Sequence, residues 1–149
     1  LLGKTSPIFY CAYEKIKKDL GRGYMSTLLF EVTIPGRVRI KKNGRRYIGN
    51  GKNIPSKQFS LWEKESSIFM LKAFHKFREN LPIKEACRAE FEIYFKNHQH
   101  ECDTSNCIEG PQDLLQKMRI IENDSLITDL SAKKIFIGPD QSIIRLFSL

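Results

Sequence analysis

The chain has 149 residues, of which 41% are hydrophobic and 28% charged, which excludes an intrinsically disordered protein and predicts one globular domain. No apolar run reaches the roughly 18 residues of a membrane helix, and the N-terminal stretch lacks the apolar centre of a secretory signal. We therefore expect no membrane partner and a cytoplasmic location. The net charge of +8 favours a polyanionic partner, and nucleic acid is the commonest one in a cell.

Residues 1–24 differ in composition from the rest of the chain. They hold five basic and two acidic residues and end in Gly21-Arg22-Gly23, shortly before Met25 and a strand-like run. We interpret residues 1–24 as a non-native or disordered N-terminal extension and residues 25–149 as the domain. The alternative is a genuine basic arm. The domain is basic either way, because it keeps a net charge of +5 without the extension.

The first strand is predicted from Leu28 to Ile34, where apolar residues alternate and bring Phe30 and Val32 to one face. Residues 37–57 follow, with eight basic residues, no acidic residue, three glycines and one proline. This composition predicts a cationic loop or ribbon. Its basic residues are Arg37, Arg39, Lys41, Lys42, Arg45, Arg46, Lys52 and Lys57.

A long helix is predicted over residues 60–80, because Ser60 and Glu63 fit a capping box and apolar residues recur at helical spacing behind them. Alternation over 89–95 predicts a second strand. Gly110-Pro111 suits the first turn of a short helix that runs to about residue 117.

The C-terminal part, residues 126–147, predicts two more strands joined by a turn at Gly138-Pro139-Asp140. Strands and helices in this order favour an α+β domain, in which a mixed β-sheet is flanked by two helices.

The chain contains four cysteines: Cys11, Cys87, Cys102 and Cys107. In a cytosolic chain we interpret them as free thiols or metal ligands before disulfides. His98 and His100 lie close to the last two, which puts four zinc-ligand side chains within ten residues. Their spacing matches no standard zinc finger, so we favour incidental thiols in a polar loop over a zinc site.

Two aspartates frame the most informative stretch of the chain. Asp103 follows the second strand, and Asp124 precedes the next one. If these strands are neighbours, the two carboxylates can converge at one edge of the sheet and share a hard divalent cation such as Mg²⁺. The alternative is that Asp103 caps a helix and Asn123-Asp124 forms a turn. Spacing alone favours this alternative.

The stretch resembles the signature of the RusA-type Holliday junction resolvases: Asp-x-Asp-Asn, a Lys three residues later, Asp-Ala-Leu, and Asp-Asp before an apolar strand. Asp103 and Asn106 match its first part, Asp113-Leu114-Leu115 its middle, and Asn123-Asp124 its end, without gaps. Upstream, Ile34-Pro35-Gly36-Arg37 with Lys41-Lys42-Asn43 is similar to the family's first strand and basic loop. The resemblance covers about residues 28–149.

This resemblance implies a RusA-like fold and a Mg²⁺-dependent endodeoxyribonuclease, with Mn²⁺ as an alternative ion. The enzyme would resolve Holliday junctions or other branched DNA in recombination and repair, and would act as a homodimer, which suits a junction with two symmetric cleavage points. The candidate phosphate contacts are Arg37, Lys41, Lys42, Arg45, Arg46 and Lys117.

Two positions depart from the signature. Ser105 replaces its second Asp, and Glu109 replaces its Lys. Glu109 lies about one helical turn further on, so its carboxylate could replace the missing one. We therefore hypothesise a rearranged catalytic and metal site of Asp103, Asp124 and Glu109. The alternative function is a non-catalytic protein that binds branched DNA without cutting it.

Overall fold

The computed structural model describes residues 26–41 and 46–149. The proposed extension 1–24 and two candidate DNA contacts, Lys42 and Arg45, lie outside these residues. None of the described helices is long and apolar enough to cross a membrane. The described elements are β1 (Leu28–Pro35), β2 (Arg46–Tyr47), β3 (Asn53–Ile54), α1 (Lys57–Phe77), β4 (Cys87–Tyr94), α2 (Thr104–Lys117), β5 (Ile127–Ile135) and β6 (Gln141–Ser148).

Four strands form one mixed sheet in the order β1-β6-β4-β5, and β2 and β3 form a separate two-stranded ribbon. β4 and β5 are parallel, whereas β6 is antiparallel to both β1 and β4. The predicted α+β class, with a mixed sheet and two helices, is confirmed. So are the first strand, the second strand and the two C-terminal strands.

The register defines two ends of the sheet. Gln141 lies opposite Pro35 and Tyr94, and Tyr94 lies opposite Ile135, so these four residues mark one end, here called the upper end. The lower end is marked by Leu28, Cys87, Ile127 and Ser148. Three strands finish at the upper end and β6 begins there, so the loops that follow β1, β4 and β5 meet at the upper end.

One face of the sheet carries the core. Alternate residues of β1, β4 and β6, such as Phe30, Phe91 and Ile144, are buried with residues of both helices in a single apolar cluster. The other face is polar. On it Arg145 bonds to Glu31 through Nε at 2.6 Å and to Glu92 through Nη1 at 3.2 Å. Ion pairs of opposite charge therefore line the open face.

α1 begins at Lys57, so the predicted capping box of Ser60 and Glu63 is wrong. The cap is Ser56, whose hydroxyl accepts a hydrogen bond from the Phe59 amide at 3.1 Å. The Ser60 amide already donates to the Ser56 carbonyl at 3.0 Å, so Ser60 lies inside the helix. Glu63 pairs with Lys117 of α2 instead of capping α1.

α2 begins six residues earlier than predicted, at Thr104, so Gly110 and Pro111 lie inside it and not in its first turn. Its first helical bond runs from the Cys107 amide to the Asp103 carbonyl at 2.9 Å. Gly110 serves a different purpose here. A Cβ at Gly110 would lie 3.0 Å from the Trp62 ring and 3.1 Å from the Phe59 ring, so the glycine lets α2 approach α1 closely.

α2 ends where predicted, at Lys117, in a Schellman motif. Arg119 adopts a left-handed conformation with a φ of 57°, and its amide donates to the Gln116 carbonyl at 3.0 Å. The Ile120 amide donates to the Leu115 carbonyl at 2.9 Å. The chain then turns toward β5 at the lower end of the sheet.

The Gly110 contact gives a test of helix packing. We expect Gly110→Val to lower the free energy of unfolding by about 1–3 kcal/mol, because the added methyl groups meet the rings of Phe59 and Trp62. Gln116→Val is the matched control, because it places the same residue at an exposed site of the same helix. It should change stability by roughly 0.5 kcal/mol. Urea denaturation measures both, and equal losses would contradict the proposed contact.

Candidate nucleic-acid interface

The loops at the upper end of the sheet are tied together by main-chain hydrogen bonds. The Gly36 amide, after β1, donates to the Asp140 carbonyl at 2.9 Å. The Phe95 amide, after β4, donates to the Ile135 carbonyl at 2.8 Å. The Lys96 amide donates to Oδ1 of Asp140 at 2.7 Å. The turn at Asp140 therefore holds the chain segments that leave β1 and β4.

The other carboxylate oxygen of Asp140 binds a histidine. Oδ2 lies 2.8 Å from Nδ1 of His100, and the Asp140 side chain is only 15% exposed. Burial acts to raise the pKa of Asp140. Hydrogen bonds from Lys96 and His100, together with the charges of His100 and Arg37, outweigh burial and hold this pKa below its ordinary value. Asp140 is therefore a carboxylate that orients the His100 ring.

A surface cavity of about 170 Å³ opens beside this pair. Within it, Nη1 of Arg39 lies 3.4 Å from Oε1 of Gln58 at the start of α1. The lining residues are Arg37, Val38, Arg39, Ile40, Ser56, Gln58, His100, Glu101 and Cys102. The segments after β1 and after β4 and the start of α1 thus share one polar cavity.

Glu101 is the acidic residue of the cavity wall, and Lys134 and His98 lie beside its carboxylate. Its carboxylate pairs with Nζ of Lys134, on β5, and lies 3.4 Å from Nδ1 of His98. The bond from Lys134, and then the one from His98, lowers the pKa of Glu101. The His98 ring also stacks on Phe136 with centroids 4.2 Å apart. These contacts fix the 98–102 segment to the upper end of the sheet.

The structure separates the two candidate metal-binding aspartates. Asp103 is exposed at the N-terminus of α2, two residues from Glu101 and hence near the upper end. Asp124 is exposed in the 3-10 turn directly before β5, at the lower end. Because β4 and β5 are parallel, the 14 residues of α2 lie between these positions, a length of roughly 21 Å. The strands are neighbours, but the carboxylates do not converge at one edge.

Glu109 is half-buried in the middle of α2, and Ser105 is exposed in its first turn. Within residues 26–41 and 46–149, no three or more His, Cys, Asp or Glu side chains form a group that could hold a metal ion. Asp103 and Asp124 lie at opposite ends of α2, so the magnesium set of Asp103, Asp124 and Glu109 stays a prediction, and no catalytic step is derived through it.

The candidate DNA contacts lie in different surroundings. Lys41 pairs with Asp113 of α2, and Lys117 pairs with Glu63 of α1. Arg46 is exposed on β2, and its Nε lies 3.4 Å from the Pro55 carbonyl. Arg37 lines the cavity. Arg37 and Arg46 are thus better placed to contact phosphate than the two lysines, which already have acidic partners.

Two of the cysteines correct the prediction of free thiols or metal ligands. Cys102 and Cys107 form a disulfide with a Cα–Cα distance of 6.0 Å. α2 starts between them, and its first turn brings residue 107 back beside residue 102. Neither sulfur is then available for the zinc set considered above. Cys87 is a free thiol, and burial raises its pKa. Cys11 lies outside the described residues.

Sequence reasoning missed part of this site. The sequence indicates Arg39 only as one of several cations, His100 only as a zinc ligand and Asp140 only as a turn residue. Gln58 is not predicted, because the predicted start of α1 lies after it. One signal was available for the arginines: Arg37 and Arg39 flank the apolar Val38, a spacing that puts both on one side of an extended segment.

No protein-family model matches the chain, and no curated protein sequence matches it either. The resemblance to the RusA-type resolvases therefore remains a prediction that depends on the signature residues quoted above.

The Asp140 contacts predict a pH-dependent stability. We expect Asp140→Asn to lower the free energy of unfolding at neutral pH by about 1–2 kcal/mol, because it removes a charged acceptor. The folded-state pKa of Asp140 is lowered, so its stabilisation is present above the unfolded-state value of about 3.9 and is lost as the pH falls through the folded-state value. The difference between the two proteins should therefore shrink below about pH 4.

Urea denaturation at a series of pH values measures this difference. Asp129→Asn is the matched control, because Asp129 is an exposed aspartate of β5, and it should change stability little at any pH. A loss from Asp140→Asn that stays the same under acid conditions would contradict the role given to its charge.

Proposed function

We propose that this chain binds branched DNA through segment 37–57 and the upper end of the sheet. One observation carries the proposal: segment 37–57, which runs from the end of β1 to the first residue of α1, holds eight basic residues and no acidic one. Polyphosphate backbones bind such segments by charge neutralisation and release of counterions. The first two of its arginines, Arg37 and Arg39, line the cavity at the upper end.

The distribution of charge over the described residues supports this surface over the open face of the sheet. That face carries four acidic residues and three basic ones, and Arg88 and Arg145 pair with three of the glutamates: the acidic residues are Glu31, Glu90, Glu92 and Asp129, and the basic ones are Arg88, Lys133 and Arg145. A face with paired charges and an acidic excess does not attract a polyanion. The basic segment therefore offers the better approach for DNA.

The type of DNA comes from the resemblance. RusA-type resolvases act on four-way junctions, and few features of this chain predict the reading of base edges. We therefore expect recognition of shape and backbone. The proposal includes a role in recombination and repair, a second copy of the chain on a symmetric junction, and a cytoplasmic location.

Salt dependence tests the proposed surface. We expect the chain to bind a synthetic four-way junction more tightly than a duplex of the same arm sequence. We expect Arg46→Gln to weaken junction binding and to reduce the slope of log affinity against log salt by about 1, because one phosphate contact is lost. Fluorescence anisotropy over a range of salt concentrations gives both quantities.

Arg78→Gln is the matched control for Arg46→Gln. Arg78 is also an exposed arginine, but it follows α1 at the lower end of the sheet and pairs with Glu79. The two variants change the net charge equally. Equal effects on the salt slope would mean that only the net charge matters, which would remove segment 37–57 from the interface.

A second candidate activity is metal-dependent cutting of the bound junction. The observation in its favour is that the exposed Asp103 lies at the upper end, beside Glu101 and its partner Lys134. A carboxylate at this place would be close to the DNA backbone in the proposed complex. Asp124, at the lower end, would be far from it.

Cleavage assays separate the two candidates. If the chain cuts a four-way junction with Mg²⁺ or Mn²⁺, Asp103→Asn should abolish cutting, whereas Asp124→Asn should retain it, because the two residues lie at opposite ends of α2. Loss of cutting in both variants would mean that the carboxylates meet in another way, as between two protomers. If the chain binds the junction but does not cut it at any metal concentration, it is a non-catalytic protein that binds branched DNA.

A further inference from the structure

The cavity at the upper end has the size and lining of a site for a small anion. Its volume of about 170 Å³ is below the roughly 300–1,000 Å³ of pockets that enclose drug-sized ligands. Side chains with hydrogen-bonding groups dominate the wall, among them Arg37, Arg39, Ser56 and Gln58. A single phosphate group matches this volume and polarity better than a nucleobase or an apolar ligand does.

Arg37 and Arg39 both line the cavity. Val38, between them, is 4% exposed, belongs to the core and lines the cavity as well. The core contact of Val38 therefore anchors the short segment that brings both arginines to the cavity wall. Guanidinium groups bind phosphate oxygens through paired N–H donors, which makes two adjacent arginines a strong phosphate clamp.

His100 also lines the cavity. Its Nδ1 lies 2.8 Å from Oδ2 of Asp140, which fixes the ring, and a protonated ring would donate from Nε2 to a phosphate oxygen. Asp140 is tied to the Lys96 amide through its other oxygen. The ring is therefore held before a ligand arrives, and it loses little freedom on binding.

Glu101 on this wall pairs with Lys134, so its negative charge is already matched. Arg37 and Arg39 supply the remaining positive charge of the cavity lining. We propose that the cavity between Arg37, Arg39 and His100 binds one phosphate group. The inference deepens the proposed function, on which it depends, because it names the place where one DNA phosphate is held. Either an internal phosphodiester or a terminal phosphate of a strand can supply this chemistry.

Amide chemical shifts of the full chain test the site with inorganic phosphate as the probe. At constant ionic strength, replacing chloride by phosphate should cause saturable shifts at residues 37–40 and 100–102. Arg39→Gln should weaken this binding about tenfold or more, because it removes a charged donor. Arg78→Gln, at the lower end, should leave the affinity unchanged. The absence of saturable shifts in the wild-type chain would overturn the proposal.

A second variant distinguishes loss of the phosphate site from misfolding of the chain. Arg39→Lys keeps the charge but loses the paired donors, so it should keep the wild-type spectrum elsewhere and bind phosphate more weakly than the wild-type chain. Equal affinity of wild-type chain, Arg39→Lys and Arg39→Gln for phosphate would also overturn the proposal.

Two titrations with DNA oligonucleotides identify the source of the phosphate. A single-stranded oligonucleotide with a 5′-phosphate is compared with the same oligonucleotide without it. Equal shifts at residues 37–40 and 100–102 assign an internal phosphodiester, and shifts with the phosphorylated strand alone assign a terminal phosphate. Either result supports the site. If the chain binds the junction without shifts of these amides, the phosphate site is overturned and the proposed function stands. If the chain binds phosphate but not the junction, the phosphate site stands and the proposed function is overturned.

Discussion

The parallel pairing of β4 with β5 determines where the two candidate aspartates lie. Parallel neighbours need a crossover, and α2 provides it by running from the upper end of the sheet back to the lower end. The start of α2 therefore stays beside the cations at the upper end, together with Asp103, while Asp124 is carried to the lower end. Antiparallel strands would have placed both aspartates at one end. The strand direction thus places the two aspartates at opposite ends of α2.

Contacts of α2 with the rest of the chain connect the fold to the cationic surface. Gly110 lets the rings of α1 approach, Lys117 pairs with Glu63 of α1, and Asp113 pairs with Lys41 of the basic segment. The last contact ties the start of segment 37–57 to the core. Because Lys41 pairs with Asp113, its positive charge is partly neutralised and is less available to a phosphate. The pair therefore anchors the segment at the expense of some of its positive charge.

Much of the fold could be predicted from the sequence, because strands that cover a core on one face alternate regularly. The burial of Phe30, Val32 and Ile34 follows this rule. The helix starts could not be predicted as well. Ser60 fits the capping pattern, but Ser56 caps α1, and the choice depends on where the preceding ribbon ends. The candidate site could be predicted least well. Residue spacing along the chain does not reveal strand direction, and the contact of His100 with Asp140 joins residues 40 positions apart.

A binding role follows more directly from these contacts than a catalytic one does. Catalysis with a metal needs several acidic groups in one place, and such groups repel one another until the ion arrives. At the upper-end cavity the acidic groups are already matched: Asp140, beside the cavity, with the Lys96 amide and His100, and Glu101, in its wall, with Lys134. Arg37 and Arg39 line the same cavity, the charge of Arg37 also acts on Asp140, and the two arginines are the groups whose charge a DNA phosphate would neutralise.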